Sequence, residues 1–309
     1  MTGGSAQAHR DAGTVVPEAP GPRARWSWRL RDVELDLSGP VVMGILNLTP
    51  DSFSDGGELV SVGKAMDRAR GMVADGAGIL DIGGESTRPG ASPVSPQEEM
   101  GRVLPFLSAA VVEGFGVPIS VDTRSATVAR EALRSGAQIV NDVSGLRHDE
   151  DMARVAAEEE AGLVLSHMRG TPATMKELAD YGHVVHEVRE ELEGSLALAL
   201  EAGIDLQRIV VDPGIGFAKT GDQSLTLLRE LDALGSLGCP VMVGPSRKSF
   251  LGEITGAEPR DRLPGTLAAC VLAYGAGARV FRVHDVGESV QALAVARAIM
   301  GDTPREERA

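Results

Sequence analysis

The sequence predicts a single (β/α)8 TIM barrel preceded by a disordered extension. Three observations carry this expectation. Eight short apolar runs recur along the chain, helix-like segments stand between them, and the runs are rich in Val and Ile with little polar alternation. Strands buried on both faces look like this, and strands alternating with helices make a parallel sheet. With 309 residues, 43% of them hydrophobic, the chain can bury a sizeable core in one large domain or two small ones. Closing the sheet into a barrel makes one domain. An open doubly wound sheet is the alternative, but the GxGxxG turn of its dinucleotide-binding form is missing after the first strand. Residues 1–25 then form the extension, 26–300 the barrel and 301–309 a polar tail.

The elements follow in order. Residues 1–25 are rich in Gly, Ala, Pro and Arg and lack an apolar h-region, so they read as disorder rather than a signal peptide. "RWSWRLRDVELDLSG" reads as a hairpin closing the barrel's bottom. The strands are "VVMGILN" from Val41, "ILDIGG" from Ile79, "PISVDT" from Pro118, "IVNDVSG" from Ile139, "GLVLSHM" from Gly162, "IVVDPGIG" from Ile209, "PVMVGPS" from Pro240 and "ARVFRVHD" from Ala278. Among the helices, "SPQEEMGRVLPFLSAA" opens with Ser95 as N-cap, Pro96 at the first position and Glu98 as the acid of a capping box. In "SATVAREALRSGA", Val128, Ala129, Ala132 and Leu133 share a face and Gly136 is the C-cap. "HEVREELEGSLALALEAGI" is a third helix. Met66, Met72 and Met100 read as helix packing, and Glu158, Glu159 and Glu160 as a solvated helix face.

The formal net charge of -14 repels nucleic acid and anionic membrane, so neither is an expected partner. No apolar run reaches the roughly 18 residues of a membrane span. The two cysteines, Cys239 and Cys270, lack metal or redox spacing and read as reduced core thiols of a cytoplasmic protein.

In a (β/α)8 barrel, function gathers at the C-terminal strand ends. Those ends carry Asn47, Asp81, Asp122, Asn141 with Asp142, His167, Asp212, Ser246 through Lys248, and Arg282 with His284. Burying such groups is costly unless they are hydrogen-bonded, so their convergence on one mouth points to a binding site. Asp122, Asn141 and Asp212 suit a flat heterocycle with an amino-amide edge, because a carboxylate pairs with two adjacent N–H donors. Arg88, Arg282, His284 and Lys248 suit phosphate. "ILDIGGESTRPG" runs from a buried strand through Gly83 and Gly84 into a polar loop that carries Arg88. No Walker loop and no zinc-ligand spacing is present. Asn47 with water could bind Mg2+ through a substrate phosphate. Asp81 and Asp142 read equally well as loop anchors, His167 as a core histidine donating to a carbonyl, and His148, His183 and His186 as surface residues.

Taken together, "GILNLTPDSFSDGG", "DIGGESTRPG", "SVDT", "NDVSG", "HMRGTPATM", "DPGIGF", "SRKSF" and "RVHDV" closely resemble the dihydropteroate synthase family, the sulfonamide-inhibited enzymes of folate synthesis. The motifs occur in family order between Val41 and Val286. "NLTPDSFSDGG" with "GGESTRPG" and "SRKSF" is a highly specific set. The resemblance implies a barrel that condenses 6-hydroxymethyl-7,8-dihydropterin diphosphate with 4-aminobenzoate, releasing pyrophosphate. On matching positions it implies pterin contacts from Asp122, Asn141, Met168, Asp212, Lys248 and Arg282, with Asp122, Lys248 and Arg282 closest to the chemistry. It implies diphosphate contacts from Asn47, Arg88, Arg282 and His284, with Mg2+ near Asn47. Thr87, Pro89, Phe217 and Ser249 would shape the 4-aminobenzoate pocket, two mobile loops would close over the pterin, and the enzyme would be a homodimer. Two departures stand out: Ala218 where the family usually has Gly, and Pro245 where a small or aliphatic residue is commoner. A silent pterin-binding homologue would lose part of the loop or Lys248 set, and a pterin-dependent methyltransferase would lack "GGESTRPG" and "SRKSF". This chain keeps both.

Overall fold

The computed structural model describes residues 26–49, 58–86, 90–91 and 93–301. A short antiparallel pair, β1 (Ser27–Arg29) and β2 (Glu34–Asp36), precedes the barrel. The barrel strands are β3 (Val41–Asn47), β4 (Ile79–Gly83), β5 (Ile119–Asp122), β6 (Ile139–Asp142), β7 (Gly162–Ser166), β8 (Ile209–Asp212), β9 (Val241–Val243) and β10 (Ala278–Val283). All eight pair in parallel with their sequence neighbours, and β10 closes on β3 with Val280 opposite Val41. The predicted strands and the (β/α)8 closure are thus the observed ones.

Helices cover the outside: α1 (Glu58–Ala74), α2 (Pro96–Glu113), α3 (Ala126–Arg134), α4 (Met152–Glu158), α5 (Val184–Glu201), α6 (Gly221–Arg229), α7 (Ser249–Thr255), α8 (Leu263–Gly275) and α9 (Val286–Met300). Ser95 caps α2 by accepting from the Glu98 N–H at 3.2 Å, with Pro96 at the first position. The capping box is only half formed, because the Glu98 carboxylate turns to Arg102 one turn on. Helix α3 ends earlier than expected. Ser135 is its C-cap and Gly136, at φ +110°, is the residue beyond. Nor do the three consecutive glutamates form one face. Glu158 ends α4 and pairs with Arg130, Glu159 turns to Arg31 and Arg134, and Glu160 lies past the helix at φ +50°.

The bottom of the barrel is plugged. Trp28, Leu30 and Leu37 of the hairpin pack on Met43, Ile79, Ile139, Val164, Val210, Met242 and Val280, an inward layer from every barrel strand but β5. The Trp28 indole N–H is satisfied by the Arg208 carbonyl at 2.8 Å. This layer fixes strand parity. Side chains alternate across a strand, so residues two or four positions further on also point inward, at the opposite end. They are Asn47, Asp81, Asn141, Ser166, Asp212 and Arg282. On β5, Asp122 sits opposite Asn141 in register.

Candidate active site

Parity brings the polar groups onto one floor. Arg282 projects from β10 and spans two carboxylates: its Nε donates to Asp81 at 2.6 Å and its Nη2 to Asp122 at 2.7 Å. The Asn141 amide donates to the same Asp81 oxygen at 3.2 Å. Burial opposes the charge on Arg282, but Asp81 and Asp122 overcome it and hold the guanidinium protonated. One guanidinium cannot fully serve two carboxylates. Burial raises Asp122 to about 7, with Arg282 opposing and Asp81 adding to the rise. The second Asp81 oxygen and the Asn141 carbonyl oxygen are buried without a protein partner. Such orphans cost about 1–3 kcal/mol each, so this floor is built for a ligand with N–H donors.

Asp212 stands beside it at the end of β8. One oxygen accepts from the Gly214 N–H at 2.8 Å and the other from the Ser166 hydroxyl at 3.4 Å. Burial raises its pKa, against the Gly214 hydrogen bond and the nearby Lys248. Lys248, the N-cap of α7, reaches over the Phe217 ring with Nζ 3.6 Å from the centroid. Burial and then Arg282 lower its pKa to about 8. Asn141, Asp212, Phe217, Lys248 and Arg282 all line one recess. Met168 is buried beside it with Val143, Met175 and Ala218. The recess combines a flat apolar wall with carboxylate, amide, ammonium and guanidinium groups, which suits a small polar heteroaromatic ring.

At the rim, His284 follows β10. The Ser246 hydroxyl accepts from the His284 backbone N–H at 3.2 Å and lies 2.9 Å from Nδ1. Its own hydrogen is therefore free to donate to Nδ1, which leaves the proton of the neutral ring on Nε2. Burial and Arg282 lower His284 to about 4, so at neutral pH it is an N–H donor rather than the cation its residue type suggests. Arg247, at φ +57°, pairs with Asp285 at 3.0 Å and locks the Ser246–Lys248 turn to the end of β10. Asn47 closes β3, and Ser249 opens α7 at the surface.

Not every strand-end residue faces this recess. Asp142 has the opposite parity to Asn141. Its carboxylate accepts from the N–H groups of Ser144 and Leu146, both at 2.8 Å, so it anchors a loop, whereas Asp81 does not. His167 likewise points outward. Its ring partners are Lys219 at 2.9 Å and Glu191 at 3.1 Å rather than a carbonyl. Burial and Lys219 lower it to about 4. His148, His183 and His186 are exposed. Thr87, Arg88 and Pro89 lie outside the described residues, as do residues 50–57 of the first loop. At the root of the second loop, Glu85 pairs with Arg124 at 2.8 Å and accepts from the Val94 N–H. Sequence reading missed this anchor, and it missed Ser166, Lys219 and the buried Glu99. Counting two residues forward from the inward Val164 would have found Ser166. Nothing local marks the others.

A family model described as "Pterin binding enzyme" matches residues 43–284. The dihydropteroate synthase of Synechocystis sp. is 49% identical over 259 residues, covering 84% of this chain and 89% of that protein. Xanthomonas albilineans dihydropteroate synthase solved with 4-aminobenzoic acid is 41% identical, with a TM-score of 0.84 over 91% of this chain and 100% of that one. The same organism's enzyme in complex with 7,8-dihydropteroate is 40% identical, with a TM-score of 0.79 over 88% of this chain and 97% of that one.

Proposed function

The chain belongs to the pterin binding enzyme family, and from that membership and the chemistry of its barrel mouth we infer what it does. It is a dihydropteroate synthase: it joins 6-hydroxymethyl-7,8-dihydropterin diphosphate to 4-aminobenzoate, giving 7,8-dihydropteroate and pyrophosphate in folate biosynthesis.

The division of labour we propose rests on one observation, the buried Arg282 held between Asp81 and Asp122 beside Asn141, Asp212 and Lys248. Asp212 takes the amino-pyrimidine edge of the pterin through paired N–H donors, and Asn141 takes neighbouring ring groups. Met168 packs on the ring, and Arg282 covers its face while reaching toward the diphosphate. Lys248 donates to the ring. Asn47, the His284 Nε2–H and Arg88 of the second loop meet the diphosphate. Phe217, Ser249, Thr87 and Pro89 bound the 4-aminobenzoate side.

Breaking the methylene C–O bond releases pyrophosphate and leaves cationic character on the pterin methylene. This step needs charge stabilisation rather than a strong base. A carboxylate at Asp122 stabilises that charge from the floor, and cationic groups at the rim hold the leaving diphosphate. The aromatic amine of 4-aminobenzoate is neutral near pH 7, so it attacks directly and loses its proton afterwards. Excluding water from the site at this step protects the cation, which water would otherwise trap.

Mg2+ is the cofactor we assign. Asn47 offers an amide oxygen, and no group of three His, Cys, Asp or Glu among the described residues could hold a metal. This donor set suits an ion that takes its other ligands from diphosphate and water. Bound there, it would offset charge on the leaving group.

We further propose a homodimer built on the groove between α8 and α9, where Val295 and Ile299 are 60% and 79% exposed. A cytoplasmic location is supported by the two free, buried cysteines. No helix among the described residues is long and apolar enough to cross a membrane.

Pyrophosphate release measured with and without 4-aminobenzoate tests the activity. Stoichiometric dihydropteroate with both substrates is the expected result; tight pterin diphosphate binding without turnover would overturn it. Asp212→Asn tests the pterin assignment. The amide presents a donor to a donor, so affinity should fall by about 100-fold or more, at roughly 1.4 kcal/mol per tenfold. Near-native affinity of the folded variant in calorimetric titration would remove Asp212 from the pterin site.

A further inference from the structure

We propose that Lys219 is a positioning residue for the 4-aminobenzoate subsite, acting through the backbone of Phe217. It lies two residues past Phe217 and is 9% exposed. Its ammonium does not face the recess. It donates to the Phe217 carbonyl at 2.9 Å, to the His167 carbonyl at 3.3 Å and to His167 Nδ1 at 2.9 Å. A buried ammonium is expensive, and here desolvation lowers its pKa to about 7. A side chain carried at that cost, with three partners in fixed directions, holds those partners in place.

Lys219 fixes the junction between two strand ends. The His167 backbone N–H donates to the Asp212 carbonyl at 2.9 Å and prolongs the β7–β8 pairing. Gly214 then passes so close to His167 that a Cβ there would lie 2.0 Å from the His167 carbonyl oxygen. The chain turns back through Gly216 and Phe217, whose N–H donates to the Gly214 carbonyl at 3.0 Å. At the end of this turn the Phe217 carbonyl is tied to Lys219. The other His167 nitrogen is held by Glu191 on α5 at 3.1 Å, so the anchor runs from the Phe217 carbonyl through Lys219 and His167 to a helix. The Phe217 ring carries Lys248 on its face. A displaced Phe217 backbone therefore moves the wall of the pocket, whereas the turn that presents Lys248 is held separately, through Arg247, by Thr266 and Asp285. The pterin edge has its own anchor in Asp212 and Gly214. The inference rests on the assignment of Phe217 to the 4-aminobenzoate side.

The test compares Lys219→Met, Lys219→Gln and Phe217→Ala in the full chain, with substrate KM values, calorimetric binding of pterin diphosphate and melting curves. Lys219→Met keeps length and apolar stem but removes the donor. It should raise the KM for 4-aminobenzoate about tenfold, because small misplacements of a binding wall are costly, while pterin diphosphate affinity changes by less than about threefold. Lys219→Gln restores one N–H donor toward the Phe217 carbonyl and should recover part of the loss; it becomes the test variant if the Met variant does not fold. A merely structural lysine would lower both affinities in step with the melting temperature, or leave both unchanged, and either result overturns the proposal. If Phe217→Ala raises the 4-aminobenzoate KM while Lys219→Met does not, Lys219 alone is excluded. If Phe217→Ala leaves that KM unchanged, the subsite assignment fails and the proposal falls with it.

Discussion

Two single residues pay out-of-the-ordinary backbone or burial costs, and each gives a measurable consequence. Glu99, on α2, is buried with one carboxylate oxygen lacking a partner. Burial raises its pKa from 4.5 to about 7, against the Thr123 hydrogen bond. Between those values the folded state binds more protons than the unfolded state, so this group makes stability fall as pH rises through that window. The loss is on the order of 3 kcal/mol by pH 8, at 1.36 kcal/mol per pKa unit. Glu99→Gln should therefore melt higher than the parent at pH 8, with the gap closing by pH 5; parallel melting curves across that range would contradict this. Ala218 sits at φ +48°, in the left-handed region that favours glycine. The left-handed backbone costs an alanine about 1–2 kcal/mol. The methyl is buried beside Met168 and Met175, which returns about 0.8 kcal/mol, and glycine would loosen the unfolded chain by a further 0.4–1 kcal/mol or so. The terms nearly cancel, so Ala218→Gly should shift the melting temperature by less than about 3 °C.

Among elements, α8 does more than cover β9 and β10. The Thr266 hydroxyl, fully buried near its start, accepts from the Arg247 N–H at 3.0 Å. Arg262 just before it donates to the Arg247 carbonyl at 3.1 Å and the Lys248 carbonyl at 3.4 Å. The turn that presents Lys248 is thus clamped from one helix, and from the end of β10 through Asp285. Thr266→Val keeps the shape but strands a buried N–H, which costs about 1–3 kcal/mol. Its larger effect should be on catalysis: kcat/KM for pterin diphosphate should fall by roughly tenfold through misplacement of Lys248, with the circular dichroism spectrum unchanged. Unaltered kinetics would show that the turn holds its shape without α8.

At the scale of the whole molecule, the barrel is closed below by its hairpin and left apolar on one flank. Trp28→Ala should remove the bottom plug and cost about 3–5 kcal/mol, seen as an early denaturation midpoint with little effect on the KM values at the opposite end. On the flank, light scattering should give twice the 32.3 kDa chain mass, and Val295→Glu should give a monomer that still folds. A monomeric parent at micromolar concentration would rule out the α8–α9 interface.

Strand–helix alternation, the closed barrel, the bottom hairpin and the family are all legible along the chain, because these depend on local apolar runs and on contiguous motifs. The sequence also placed the polar residues at the correct end of the strands. It did not distinguish Asp81 from Asp142, although both end apolar runs. Register and parity made that choice: Asp81 shares the inward face of Ile79, and Asp142 lies one residue off that of Ile139. His167 is the buried histidine that the sequence suggests, but its ring partners Glu191 and Lys219 come together only when α5 packs over β7 and the chain turns back after β8. Only the tertiary structure could pair Arg282 with Asp81 and Asp122, 201 and 160 residues away in the chain. The physical reason is range: a hydrophobic pattern is written along the chain, but the burial and field that set a site's charges come from groups that closure of the barrel brings together.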